Sequence, residues 1–469
     1  MRTRHRSLAA ILLLAAVGTT APPVGATGDL TDRPSPAVGT ANIVPVANVA
    51  HRGGASGGPG GGTDIEFAEI GGTTYALAGT LERGLQILDI SDPARPRPVA
   101  VYDCRVAQGD VQVVRRDGRT FVAYAADYDA DRGSACYRDL DRKGIAYGNG
   151  LGTVVVDISD PARPTTVSFL PMSRGTHNST INPAGTHLYN SNSDTSGGGV
   201  IEYWDLTGDR LLHPVKLGEL PTAGANSHDI TFNADGTRAY SAALDHSLVI
   251  DTSDPARPQV VGRIGRDGLD VHHQAEPLTV TGPDGLRRDL LLVTDEVNGG
   301  RPATCPGGGI HVYDVTGDKE RAPVRLGAWF IDDATRDDGR RGCTSHVLRL
   351  HPEAGLMTIA WYRKGVRVVD LGGLALAGET DASPMAEVGW YAFPDANTWS
   401  VKTPGISPDG SFHLFANDLA RGLDVFRFDP AVQVRADPGT WLTAEDLAAT
   451  PREVPDLDDL VLCLLPTPG

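Results

Sequence analysis

The sequence predicts an all-β fold: a seven-bladed β-propeller of four-stranded antiparallel blades, the ring closed by an N-terminal strand. Three observations carry this expectation. The octapeptide DISDPARP occurs at 89–96 and at 157–164, with DTSDPARP at 251–258, each copy following a short apolar run, LQIL, TVVV or SLVI. The strand ending in Asp recurs in degraded form as IEYWD to Asp205, IHVYD to Asp314 and VRVVD to Asp370, and once more as LDVFRF to Phe428, which makes seven. Before each lies a strand, a Gly-containing turn and a second strand, as in DVQVVRRDGRTF (110–121), HNSTINPAGTHLY (177–189) and HDITFNADGTRAY (228–240). Asn/Asp-Gly turns supply the positive φ that joins antiparallel strands. Four strands per unit, repeating about every 46 residues where no insertion intervenes, match a propeller blade.

The elements follow in chain order. Residues 1–26 read as a secretory signal: Arg2, Arg4 and Arg6, then an apolar run from Leu8 to Val17, then small residues at Val24-Gly25-Ala26. Residues 27–41 read as a disordered leader. Residues 42–51 resemble the fourth strand of blade one (95–104) and are expected to be the fourth strand of blade seven, because an open ring leaves bare strand edges. The propeller is expected over 42–430 and a tail packed on it over 431–469, in which TAEDLAA has the composition of a short helix. Cys104 and Cys136 flank an insertion in blade two, and Cys305 and Cys343 flank the junction of blades five and six; these are the preferred pairings, with Cys463 left over.

Composition narrows the function. With 42 basic and 59 acidic residues the formal charge is -17, which argues against nucleic acid or an anionic membrane as partner. No stretch reaches 18 apolar residues, so no membrane span is expected. The expected product is a secreted, extracellular and monomeric protein whose ligand is a small molecule or another extracellular species.

LQILD, SLVID and VRVVD resemble the signature of the LVIVD-repeat family of exported bacterial propeller proteins. The resemblance spans roughly 42–430 and implies the propeller fold; it implies no catalytic motif.

The repeat also aligns the blades. Stepping back eight residues from the glycine of each first hairpin turn gives Asp64, Asp110, His177, His228 and Lys402 for blades one, two, three, four and seven. Blade six, with one extra residue, gives His346; blade five, with a longer turn, gives His273 or its neighbour His272. All seven are ionisable, and four successive blades place a histidine there although the chain has only 13. The position is expected to open the innermost strand, so these side chains should converge at one mouth of the channel.

Several imidazoles can share a divalent transition metal, with Cu or Fe favoured here and Zn as a further candidate, so His177, His228, His273 and His346 are the candidate ligands. Asp64, Asp110 and Lys402 are the candidate catalytic groups, as bases or charge partners; Asn178, Asp229, Gln274, Glu276 and Thr403 flank them. A metal-free site and a merely hydrated channel are the other outcomes open to such a ring. Four axial histidines are also similar in architecture to the carotenoid-cleaving oxygenases, whose sequence motifs are absent.

Asp127, Asp129 and Asp131 alternate as in a calcium loop, although Arg132 and Arg138 stand where that pattern needs Gly and Glu. The aspartates ending the third strands read as turn caps. A metal-dependent enzyme, with oxidoreductase favoured, is the leading expectation; a non-catalytic extracellular binding module is the alternative.

Overall fold

The structure, a computed structural model, describes residues 39–450 except 55–57, 128–129, 173, 193–197, 298–304, 306 and 333–341. The signal segment, Asp129, Cys463 and the tail beyond 450 lie outside the described residues.

Seven antiparallel sheets form the ring. Blade one is Gly62–Ile70, Thr73–Thr80, Leu85–Asp89 and Arg97–Tyr102, hydrogen-bonded in that order, and the others repeat the pattern. Their first strands are Val111–Arg116, Asn178–Ile181, Asp229–Phe232, His272–Thr281, Leu348–His351 and Thr398–Lys402. Each first strand turns into the second through a glycine at positive φ in blades one to four, among them Gly118 (73°), Gly185 (68°) and Gly236 (72°), a conformation that costs glycine little.

The aspartates that revealed the repeat are turn caps. Asp89, Asp157, Asp205, Asp251, Asp314 and Asp370 each accept the backbone N–H two residues on, at 2.7–2.9 Å. In the three DPARP copies the second aspartate pairs with its own arginine: Asp92 with Arg95, Asp160 with Arg163 and Asp254 with Arg257. The octapeptide is thus a self-contained turn.

Apolar faces meet between blades, which fixes the core there and leaves the axis to polar groups. Leu77, Leu85 and Ile87 of blade one pack on Val111, Val122 and Tyr124 of blade two. Val366 and Val368 of blade six pack on Val401, Leu414 and Phe426 of blade seven. Ile43–Val49 is the fourth strand of blade seven, running from Ile43 opposite Phe428 to Val49 opposite Leu423, so the N-terminal strand closes the ring. Gly39 bridges Tyr391, and the Thr40 N–H donates to the Trp390 carbonyl, so pairing begins before residue 42.

Helix α1 (Ala135–Lys143) in the blade-two insertion is bound to the ring by the Cys104–Cys136 disulfide and by the Tyr102 hydroxyl donating to Asp139 (2.6 Å). Cys305–Cys343 is the second disulfide. Thr440–Thr443 adds a fifth strand to blade five, and α2 (Ala444–Ala449) follows with a capping box between Thr443 and Asp446. Among the described residues no helix is long and apolar enough to cross a membrane.

His51, just after the closing strand, is 4% exposed; its Nε2 donates to Asn417 Oδ1 (2.5 Å), whose Nδ2 donates to the Asp64 and Gly79 carbonyls. Burial, with Arg83 adding to it, lowers the imidazole to about 4 against the opposing pull of the Asn417 bond. Below pH 6.5 the unfolded chain takes up a proton that the folded chain refuses, so stability present above pH 6.5 is lost as pH falls towards 4. At about 1.4 kcal/mol per unit, His51 accounts for about 2 kcal/mol between pH 6.5 and 5. His51→Gln, which keeps a donor, is expected to remove about 2 kcal/mol of that limb in urea titrations at a series of pH values, the other buried histidines supplying the rest; an unchanged limb would refute the assignment.

Candidate functional site

The first strands enclose an axial cavity of about 420 Å³, and all seven aligned side chains line it: Asp64, Asp110, His177, His228, His273, His346 and Lys402. They do not form one tier. The four imidazoles do: ring centroids lie 4.1 Å apart for His177–His228, 4.4 Å for His228–His273 and 4.1 Å for His273–His346. His346 continues the arc to Trp399 at 4.7 Å.

The hydrogen bonds reveal the true register. His228 Nδ1 donates to the carbonyl of His273 in the next blade (3.0 Å), and His346 Nδ1 donates to that of Trp399 (2.6 Å), so Trp399 takes the histidine position in blade seven. Asn178, one residue past His177, donates to the His228 carbonyl, and Ser400 donates to that of Thr63, which places Thr63 in the tier for blade one. Asp64 therefore stands one residue past the tier, as does Asp229 past His228. Asp110 is level with them: Ala125 N–H donates to the Asp110 carbonyl as Ala360 N–H does to that of Val347, next to His346.

Lys402 is the correction. It ends its strand instead of opening it and stands three residues past Trp399, level with Arg349 and Glu276, three past His346 and His273. The blade-seven connection from Thr403 to Ser411 is longer than the turns of blades one to four, so counting back from Gly410 stops short. Flanking Thr403 bonds within that turn, to Gly405.

In blade five the pairing slips between His272 and Gln274, and this bulge turns His273 into the cavity. His272 points away, between Ser247 Oγ (2.9 Å) and the Arg266 carbonyl (3.2 Å).

A carbonyl can only accept, so His228 and His346 carry hydrogen on Nδ1 and keep a lone pair on Nε2. His177 Nδ1 meets Asp127 Oδ2 (3.1 Å), and its Nε2 accepts from Gln108 (3.3 Å). His346 Nε2 and His273 Nδ1 are buried with no hydrogen-bond partner. Burial keeps three of the rings neutral: His346 falls to about 3, and His228 and His273 drop well below the usual range, with their imidazole neighbours adding to the effect.

Glu296, buried completely, joins this cluster. His273, Glu296 and His346 each offer a donor atom within 4.8 Å of the other two, the one such group among the described residues. The Tyr362 hydroxyl donates to Glu296 Oε1 (2.7 Å), and its ring lies 4.5 Å from His346. Glu296 and Asp127 both follow the second strand of their blade, outside the first-strand position that aligns the histidines, so spacing in the sequence does not join them to the ring.

Charged groups fill the remaining wall. Lys402 Nζ donates to Asp64 Oδ1 (2.6 Å) and Glu66 Oε1 (2.9 Å), and Arg349 pairs with Glu66. Burial would raise Glu66, but Arg349 and Lys402 together bring it below the usual range. Burial lifts Asp64 against the pull of Lys402; burial and then Asp64 lift Asp110 well up; burial and then Glu276 push Asp229 to about 7.

Of the three candidate calcium ligands, Asp129 lies outside the described residues. Asp127 is bound to His177, while Asp131 pairs with Arg105 (2.6 Å) and caps Gly133.

The LVIVD repeat model matches residues 74–104 and 145–169. No curated protein matches the sequence. Among solved structures the chain is similar to a functionally unknown protein from Desulfotomaculum acetoxidans, at 13% identity and TM-score 0.43 over 66% of this chain and 84% of that one. It is similar to the periplasmic gluconolactonase PpgL of Pseudomonas aeruginosa at 12% and 0.42, over 64% and 78%. It is also similar to the β-propeller domain of Cps50 (Swd1) from Myceliophteria thermophila at 11% and 0.48, over 78% and 96%. Such distant likeness says nothing about chemistry.

Proposed function

We propose that this chain, a seven-bladed propeller carrying LVIVD repeats, holds one divalent transition metal on its axis and acts as a metal-dependent oxidoreductase. His273, His346 and Glu296 are the ligands in this reading, with the lone pair of His228 beside them and His177 as an outer member oriented by Asp127. Two imidazoles and one carboxylate suit Fe(II), with Cu and Zn also accommodated by imidazole-rich sets.

The observation that carries the proposal is the outward bonding of the rings. His228 and His346 donate Nδ1–H to backbone carbonyls and His177 meets a carboxylate, which is how metal-binding histidines are oriented. The second support is the pair of buried ring nitrogens with no partner, each of which costs about 1–3 kcal/mol unless something binds it. Neutral imidazoles are the ligating form.

Bound there, the ion would supply redox and Lewis-acid chemistry. Asp64 and Asp110, in the wall of the same cavity, would handle protons, burial having lifted both towards the working range of a base. Lys402, committed to Asp64 and Glu66, would fix their positions. The two disulfides support an oxidising, extracytoplasmic compartment.

Elemental analysis of the purified full chain, fresh and after anaerobic reloading with Fe(II), Cu or Zn, tests this. One equivalent per chain is expected, with His273→Ala, His346→Ala and Glu296→Gln each losing it after dialysis. A wild-type chain that retains none of the three metals would sink the proposal.

A further inference from the structure

The cavity holds five carboxylates, Asp64, Glu66, Asp110, Asp229 and Glu276, against two cations, Lys402 and Arg349. Both cations are spent on one side, Arg349 on Glu66 and Lys402 on Glu66 and Asp64. The other three carboxylates have only neutral hydrogen-bond partners, although Arg349 also acts on Glu276 from a distance. Asp110 accepts from Ser179 N–H (3.0 Å), Asp229 from Ile230 N–H (2.7 Å), and Glu276 from the Gln274 amide (2.7 Å) and the Thr231 hydroxyl (3.2 Å). Asp64, only 8% exposed, leaves Oδ2 with no hydrogen-bond partner in the wall of the same cavity. A surplus of buried carboxylate is unfavourable unless protons or a cation neutralise it.

The spacing says what kind of cation. Among the described residues no group of three donors within 4.8 Å includes any of these carboxylates, so as they stand they are too far apart to wrap a bare metal ion. Asp64, Asp110 and Asp229 share one tier in blades one, two and four and line the same cavity. A cavity of about 420 Å³ is of small-molecule size.

We propose that the cavity binds an organic cation, an alkylammonium or guanidinium compound, with its charged nitrogen among Asp64, Asp110 and Asp229. Its role as the substrate of the centre rests on the proposed function; the cation site itself stands on the carboxylates.

Calorimetric titration of the full chain at low ionic strength tests the site, first chelator-stripped and then metal-loaded. The probes are 1,4-diaminobutane, its neutral analogue 1,4-butanediol, the dianion succinate, and Ca²⁺. The diamine is expected to bind at least about tenfold more tightly than the diol or succinate, and Asp110→Asn and Asp229→Asn each to weaken it about tenfold, the loss of one charge-assisted hydrogen bond. Exposed Glu445→Gln should not change it, and thermal melts should show the variants folded; Asp64→Asn serves if either is not. The idea fails if the diamine has no advantage, if Ca²⁺ binds and the diamine does not, or if diamine binding survives both substitutions. Because the stripped chain is measured first, diamine binding without metal uptake would remove the metal centre and keep this site; the converse would remove this site alone.

Discussion

Arg367→Ala is expected to destabilise the propeller by about 3–5 kcal/mol, the cost of stranding one member of a buried ion pair. Arg367 is fully buried inside blade six, donating to Glu387 Oε2 (2.6 Å) and to the Lys364 carbonyl (2.9 Å), with its guanidinium carbon 5.1 Å from the Trp390 ring centre. Truncation leaves the carboxylate of Glu387, 4% exposed, without its guanidinium. The double variant Arg367→Met/Glu387→Met should recover most of the loss, because the attraction within a buried pair roughly offsets what dehydrating both charges costs. Equilibrium unfolding in urea measures both. A single variant as stable as the double would show that the pair is not desolvated.

Removing the Cys305–Cys343 bridge is expected to cost about 4 kcal/mol and to weaken metal uptake as well. The stability term follows from loop closure over a sequence separation of 38 residues. The coupling follows from what the bridge adjoins. Beyond Cys343, Thr344 Oγ1 donates to the Asp295 carbonyl (3.1 Å) and accepts from Val297 N–H (2.8 Å), and Ser345 Oγ donates to the same carbonyl (3.0 Å). The segment carrying His346 is thus laced to the segment carrying Glu296. Cys305→Ser/Cys343→Ser should bind Fe(II) at least about tenfold more weakly, the range seen when supports of metal ligands are lost. Cys104→Ser/Cys136→Ser, with a separation of 32, should lose similar stability and keep its metal. Equal metal affinity in the two double variants would show that the second bridge has no part in shaping the site.

Much of this molecule was legible from its repeat. The strand-ending aspartates, the glycine turns and the closing N-terminal strand are local or periodic signals, and each stands where the pattern put it. The histidine tier was legible for the same reason, since hairpins of nearly constant length carry a register across blades. That register failed where length varied: it slipped by one residue at Asp64 and Asp110, at Lys402 the longer turn displaced the count by three, and only the bulge in blade five decides between His272 and His273. Glu296 and Asp127 were not legible as partners of the histidines, because they approach from the ends of second strands through folding of the ring. Sequence spacing within one strand cannot report a contact made between two.

Ring closure by Ile43–Val49 has a consequence for biogenesis. The partner of this strand, residues 423–428, lies about 380 residues later. At translation rates of roughly 5–20 residues per second, the first strand waits on the order of 20–80 s for its mate. For that interval every nascent chain carries an unmated ribbon at one end and an incomplete seventh blade at the other, so whatever chaperones the chain must shield the earliest residues until the latest ones emerge.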